Sequence, residues 1–192
     1  MKTTPFIISA LLPLAAAAQG TGSTAVFGVL DLAATQQRKG GGQGALSSLD
    51  SGVGYGSRFG LRGSERLEGG LTAQFTLEMG LAPDTGALQQ GGLAWGRQAW
   101  VGLAAGSWSL SAGRQYSPLW SSLVSSEAFS FTYWGNAQST QMQSVSAASV
   151  AGDGGHGALS RINNSLLGQY SAGPWSARLM LAAGEPGRRA VI

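Results

Sequence analysis

Cysteine is absent from the 192 residues, so the chain has no disulfide framework, no thiol chemistry and no cysteine-based metal site. Charge is also scarce. Only 11% of residues are charged, against ~25% in ordinary soluble domains, too few to wet a globular surface on all sides. Past residue 18 there is no apolar run of the roughly 20 residues that a membrane-spanning helix needs. The basic residues are scattered singly, and Arg188-Arg189 is too short to be a basic patch. A net charge of +3 and a pI near 9.7 therefore do not signal nucleic-acid binding. His156 is the sole histidine, set in the glycine-rich Gly152-Asp153-Gly154-Gly155-His156 segment rather than on a rigid element. A nucleophilic site would need a serine partner and an orienting acid beside it, so the chain does not read as an enzyme. No His/Asp/Glu cluster has metal-ligand spacing, which argues against a metal site. Gly52-Val53-Gly54-Tyr55-Gly56 precedes a strand instead of opening a helix after one, so no nucleotide cofactor is expected.

What is present begins at the N-terminus. Lys2, the apolar run Phe6-Ile7-Ile8-Ser9-Ala10-Leu11-Leu12-Pro13-Leu14 and the small residues Ala15 to Ala18 form a secretory signal peptide over residues 1–18. The remainder, 19–192, is rich in glycine: 31 in the whole chain, more than twice the usual frequency of about 7%. Mean hydropathy is close to zero, +0.06. With so little charge, apolar and polar residues must be finely interleaved.

That interleaving has a period of two. In Leu71-Thr72-Ala73-Gln74-Phe75-Thr76-Leu77-Glu78-Met79 every odd residue is apolar and every even one polar. Nine such residues are the length with which a tilted strand crosses a bilayer. A helix would scatter Thr72, Gln74, Thr76 and Glu78 over all its faces. The pattern recurs where Phe59, Leu61 and Gly63 oppose Arg58, Gly60, Arg62 and Ser64, and where Val26, Gly28, Leu30 and Leu32 oppose Asp31. It recurs again where Trp108, Leu110 and Ala112 oppose Ser109, Ser111 and Gly113. In the last such segment Trp175, Ala177, Leu179 and Leu181 oppose Ser176, Arg178 and Met180. Aromatic residues fall near segment ends, as in the interfacial girdles of membrane barrels.

Connections alternate in length. Glu65 to Gly70 and Ala104 to Ser107 are tight; Ala34 to Gly56, Ala82 to Gly92 and Leu119 to Ser160 are long and rich in Gly, Ser and Gln. Short turns on one rim and long loops on the other characterise outer-membrane barrels. About seven strands are predicted. The rival architecture is an exported β-sandwich, which also alternates but should carry a charged outer face. The expected fold is all-β, an antiparallel transmembrane β-barrel.

Several segments carry a resemblance. Gly56-Ser57-Arg58-Phe59-Gly60-Leu61-Arg62-Gly63-Ser64-Glu65, with Leu67-Glu68-Gly69-Gly70-Leu71, resembles the second hairpin of general diffusion porins from β-proteobacteria. Gly96-Arg97-Gln98-Ala99-Trp100-Val101-Gly102-Leu103 resembles their fourth strand, and Gly113-Arg114-Gln115-Tyr116-Ser117-Pro118 the start of their third loop. Arg161-Ile162-Asn163-Asn164-Ser165 resembles the sixth strand, and Gly184-Glu185-Pro186-Gly187 a later strand end. With the Val26-Phe27-Gly28-Val29-Leu30-Asp31 opening, the likeness covers nearly all of residues 19–192. It implies a 16-stranded barrel, usually trimeric, in the outer membrane, with the third loop (here 119–160) folded inward to narrow the pore. Family members run to about twice this length, so the expectation is a fragmentary sequence or a truncated gene. Seven strands in hydrocarbon would leave two unpaired edges, each unsatisfied backbone group costing several kcal/mol. By itself, such a chain should not make a working pore.

The same resemblance implies basic side chains on the barrel wall facing acids on the third loop. Residue by residue, the wall set falls on Arg58, Arg62, Arg97 and Arg161, and the loop acid on Glu127. Alternation independently turns Arg58 and Arg62 towards water, because an arginine facing lipid near mid-bilayer costs about 2–4 kcal/mol. Arg161 opposes Ile162 and Leu166 and reads as inward. Arg97 shares parity with Val101 and Leu103; the resemblance turns Arg97 inward and Trp100 and Gly102 towards a trimer interface. The family's second loop acid would fall near Phe131, which is not acidic. Arg114 shares parity with Leu110 and Ala112 and reads as a rim or interface anchor. The expected function is passive diffusion of small hydrophilic, preferentially anionic solutes across the outer membrane, through contact with lipid and with no nucleic acid. The alternatives are an exported β-domain with an adhesive or structural role and a non-functional remnant.

Overall fold

The computed structural model describes residues 22–38, 45–126 and 160–183. The signal segment 1–18, the loop acid Glu127, His156 and most of the 119–160 loop lie outside the described residues. Among the described residues ten strands and a short helix follow in chain order: β1 (Ser23–Val29), β2 (Leu32–Arg38), β3 (Ala45–Ser51), β4 (Arg58–Arg66), β5 (Leu71–Ala82), β6 (Ala87–Leu88), β7 (Gln98–Ala105), β8 (Trp108–Tyr116), α1 (Pro118–Ser126), β9 (Arg161–Ala172) and β10 (Trp175–Ala182). The main sheet runs β1-β4-β5-β7-β8-β9-β10, every neighbour antiparallel, with β6 a two-residue addition to β5. These are the seven strands that the alternation predicts.

Residues directly opposite each other in a ladder share a face, so the register sorts the side chains. One row runs Arg62 to Thr76 to Trp100 to Gly113 to Ser165, and the next row, on the opposite face, runs Leu61 to Leu77 to Ala99. The apolar face collects Val26, Phe59, Leu61, Phe75, Leu77, Val101, Leu103, Leu110, Leu166, Leu179 and Leu181. Among these Val26 is 67% exposed, Val101 63% and Leu179 70%. Among the described residues Leu167 is the only buried hydrophobic side chain. A β-sandwich would bury one whole apolar face in a core, and here that face is open. An apolar surface of this extent in water would aggregate; against hydrocarbon it is stable. Near the short turns, Trp108 and Tyr170 meet with ring centroids 4.4 Å apart, and Trp175 stands 77% exposed on the same side. They form the interfacial girdle that the sequence suggested. No helix among the described residues is long and apolar enough to cross a membrane.

A charge placed on this face should be costly. Val101→Lys is expected to remove about 2–4 kcal/mol of membrane-inserted stability. Urea titration of the folded protein in vesicles would read this as a lowered midpoint, and no change would mean that Val101 does not meet lipid.

Two connections differ from expectation. The stretch from Ala34 to Gly56 is not an irregular loop: β2 and β3 pair antiparallel as a separate two-stranded ladder beyond β1 and β4. Gly/Ser-rich composition masked it, because Ser48 and Thr35 bond each other and Asp50 on one face instead of packing apolar side chains. Asp31 organises the joint. Its Oδ2 accepts from the backbone N–H of Gly54 (3.0 Å) and Tyr55 (2.7 Å), and its own N–H donates to Ser57 Oγ at 2.8 Å. The 119–160 segment, in turn, opens on helix. Ser117 Oγ accepts from the Trp120 N–H at 3.0 Å as an N-cap, with Pro118 at the first helical position. Ser117 N–H donates to the Ser160 carbonyl at 3.0 Å, so the two roots of this segment are joined.

Candidate functional site

Polar chemistry concentrates at the end of the strands away from the short turns. Arg58 opens β4, Glu78 lies near the end of β5, Arg97 immediately precedes β7, Tyr116 ends β8 and Arg161 opens β9. Glu78, 3% exposed, is the hub. It accepts from Arg97 Nε at 2.7 Å and Gln98 Nε2 at 2.5 Å, and Arg58 Nε stands 3.6 Å away. Arg97 Nη2 donates to the Tyr116 hydroxyl at 2.9 Å, and Arg161 Nη2 donates to the same oxygen at 3.3 Å. The Arg161 guanidinium also lies over the Tyr116 ring, 4.9 Å from its centroid. One phenol oxygen thus bridges two guanidiniums that would otherwise repel.

Arg62 sits four residues along β4 from Arg58, about 13 Å at a strand rise of ~3.3 Å per residue. Its guanidinium lies 5.3 Å from the centroid of Phe27. Among the described residues the ion pairs are Arg97–Glu78 and Arg58–Glu78, so Arg62 has no carboxylate partner there. Arg178, on the polar face of β10, donates from Nε to Gln169 Oε1 at 3.0 Å. A recess of about 670 Å³ is lined by Arg58, Arg62, Arg97 and Arg178 with Glu78 and Tyr116. Because Phe27 of β1 lines it too, the two ends of the main sheet close around one space. That requires a strongly curled sheet, the geometry of a barrel wall.

Family comparison agrees with this architecture. Residues 6–190 match the family model of Gram-negative porins. The chain belongs to the Gram-negative porin family. It is similar to an outer membrane porin protein of Bordetella pertussis, 37% identical over 129 residues, which are 60% of this chain and 34% of the relative. It is also similar to the solved anion-selective porin from Comamonas acidovorans, with a TM-score of 0.69 and 27% identity, covering 84% of this chain and 46% of that one. The chain thus spans less than half the length of these two porins.

Of the wall arginines read from sequence, the porin fold brings Arg58, Arg62 and Arg97 into one recess and links Arg161 to it through Tyr116. Trp100 and Gly102 correct the sequence reading. They do not face outward: they share the polar face with Gln74 and Thr76, and Trp100 Nε1 donates to Gln98 Oε1 at 3.0 Å. Val101 and Leu103 hold the apolar face. The inference failed because Arg97 precedes β7, where the backbone does not yet alternate, so its inward turn carries no parity for the strand. Arg161 follows the same logic. Asn164 takes φ +50°, and β8 and β9 slip register between Gly113 and Gln115, so parity with Leu166 does not fix Arg161; its contact with Tyr116 does. Gly113, at φ +132°, lies against the Ala99 carbonyl, where any Cβ would collide. Arg114 pairs opposite Ala99 on the outer side, donating to the Gly96 carbonyl at 2.8 Å and to Asn163 Oδ1 at 2.6 Å.

Three residues of this cluster were not singled out by the sequence reading: Glu78, Tyr116 and Arg178. Their signal was present. Glu78 and Arg178 sit at polar positions of clean alternating segments, and an ionised group on the water face of a barrel strand is a candidate pore residue. Among the described residues no group of carboxylates and histidines could hold a metal ion.

Proposed function

We propose that the chain forms part of the wall of an outer-membrane channel for passive diffusion of small hydrophilic solutes, with preference for anions. The observation that supports this most is the charge on the polar side. Arg58, Arg62, Arg97, Arg161 and Arg178 gather there against Glu78, whose charge is already taken up by Arg97 at 2.7 Å. A fixed positive field at a narrow point, bounded by low-dielectric walls, raises the local concentration of anions and excludes cations. In this reading Glu127 is the opposing acid of the inward-folded loop, residues 1–18 direct export, and the barrel assembles as a homotrimer. Likeness to a porin described as anion-selective agrees with it.

Planar-bilayer recordings of the full-length protein carrying this chain test the reading. In a KCl gradient, reversal potentials should fall on the chloride side and the preference should weaken as salt rises, because screening lengths shrink from about 10 Å at 0.1 M to 3 Å at 1 M. Cation-side reversal would overturn the anion preference, and absence of any conductance would overturn the channel itself.

A further inference from the structure

We propose that Tyr116 is a positioning residue for anion selection, its hydroxyl holding the Arg97 and Arg161 guanidiniums together so that their fields add. This rests on the channel reading and concerns how the selecting charges are kept in place. Arg161 is 6% exposed, its Nε has no hydrogen-bond partner, and no carboxylate among the described residues pairs with it. Burying a charge is costly unless hydrogen bonds or an opposite charge offset it, so this guanidinium needs a support. Among the described residues that support is Tyr116. The phenol oxygen accepts from Arg161 Nη2 at 3.3 Å, and the guanidinium lies over the ring, 4.9 Å from its centroid.

The same oxygen binds a second guanidinium. Arg97 gives Nε to Glu78 at 2.7 Å and Nη2 to Tyr116 at 2.9 Å, which fixes its plane at both ends. Polar contacts thus run unbroken from Arg58 of β4 through Glu78, Arg97 and Tyr116 to Arg161 of β9. Packing accounts for the Tyr116 ring, which stacks on Trp120 of α1 with centroids 6.2 Å apart and planes 13° from parallel. A phenylalanine would serve that purpose equally. Packing does not account for the hydroxyl, an acceptor shared by two like charges. Without it, repulsion should drive the two guanidiniums apart, and the positive field at this part of the wall becomes weaker and more diffuse.

The test uses the full-length protein carrying this chain in planar bilayers, under a KCl gradient at low salt. Tyr116→Phe keeps the ring and loses the oxygen, and its chloride-over-potassium permeability ratio should fall about twofold below wild type. That loss should depend on the arginines. With Arg161→Gln already in place, Tyr116→Phe should lower the logarithm of the ratio by about half as much or less, because one of the two held charges is gone. Arg161→Lys keeps the charge but not the flat guanidinium, and it should lower the ratio as well. Chloride preference in the wild type with an unchanged ratio in Tyr116→Phe, or an equal loss with and without Arg161, overturns the positioning role and leaves the channel standing. If Tyr116→Phe does not insert, an unchanged ratio in Arg161→Lys overturns it instead. A wild type without conductance or without chloride preference overturns the channel reading and this proposal together.

Discussion

On the proposed channel reading, Arg58→Glu with Arg62→Glu should turn anion preference into cation preference. Both side chains occupy the polar face of β4 and line one recess with Arg97, Arg178 and Glu78. Among the described residues four guanidiniums face one carboxylate there, and the double exchange leaves two guanidiniums against three carboxylates, reversing the sign of the field they set. Arg62 carries most of the effect, since no carboxylate among the described residues neutralises it. The paired Arg58→Gln and Arg62→Gln exchange should weaken anion preference without inverting it, which separates charge from pore shape. Reversal potentials at low salt measure both. If the glutamate pair still selected chloride, the selecting field would lie elsewhere in the barrel.

Loss of stability is the larger effect expected at Glu78. Glu78→Ala removes the acceptor of Arg97 Nε and Gln98 Nε2 and strips the counter-charge from a guanidinium whose side chain is only 13% exposed. Breaking a buried pair by deleting one partner costs about 3–5 kcal/mol, chiefly because the other charge stays behind, dry and uncompensated. Glu78→Gln retains the shape but loses the charge, so it should fall between wild type and alanine. Urea unfolding from lipid vesicles reads the difference as a lower midpoint at unchanged slope. A change below about 1 kcal/mol for Glu78→Ala would class the pair with solvent-exposed ion pairs and remove Glu78 as the organiser of the arginines.

Most of the sheet is legible in the sequence because alternation reports a local fact: which side of a pleat each side chain leaves. Leu71 to Met79 needed no partner to be read, and its polar and apolar rows stand in the fold as the sequence arranges them. Reading failed where the chain departs from regular pleating. Arg97 stands one residue before its strand, so its inward turn misplaced Trp100 and Gly102, and Ser47-Ser48 sit in a ladder held by side-chain hydrogen bonds. Composition looked like loop there, and the side-chain bonds of Thr35 to Ser48 and Asp50 join residues 13 and 15 apart in sequence.

The site divides along the same line. Arg58 and Arg62 could be assigned to the water side from β4 alone. That Glu78 grips Arg97, and that Tyr116 holds both Arg97 and Arg161, the latter 45 residues further along the chain, follows only from which strands lie side by side. The amino-acid order by itself determined the strand class, the two-faced wall and the direction of its arginines on β4, since each depends on neighbours within a few residues. Tertiary structure alone decided which charges are paired with an opposite charge and which are not, because electrostatic partners are chosen by distance in space.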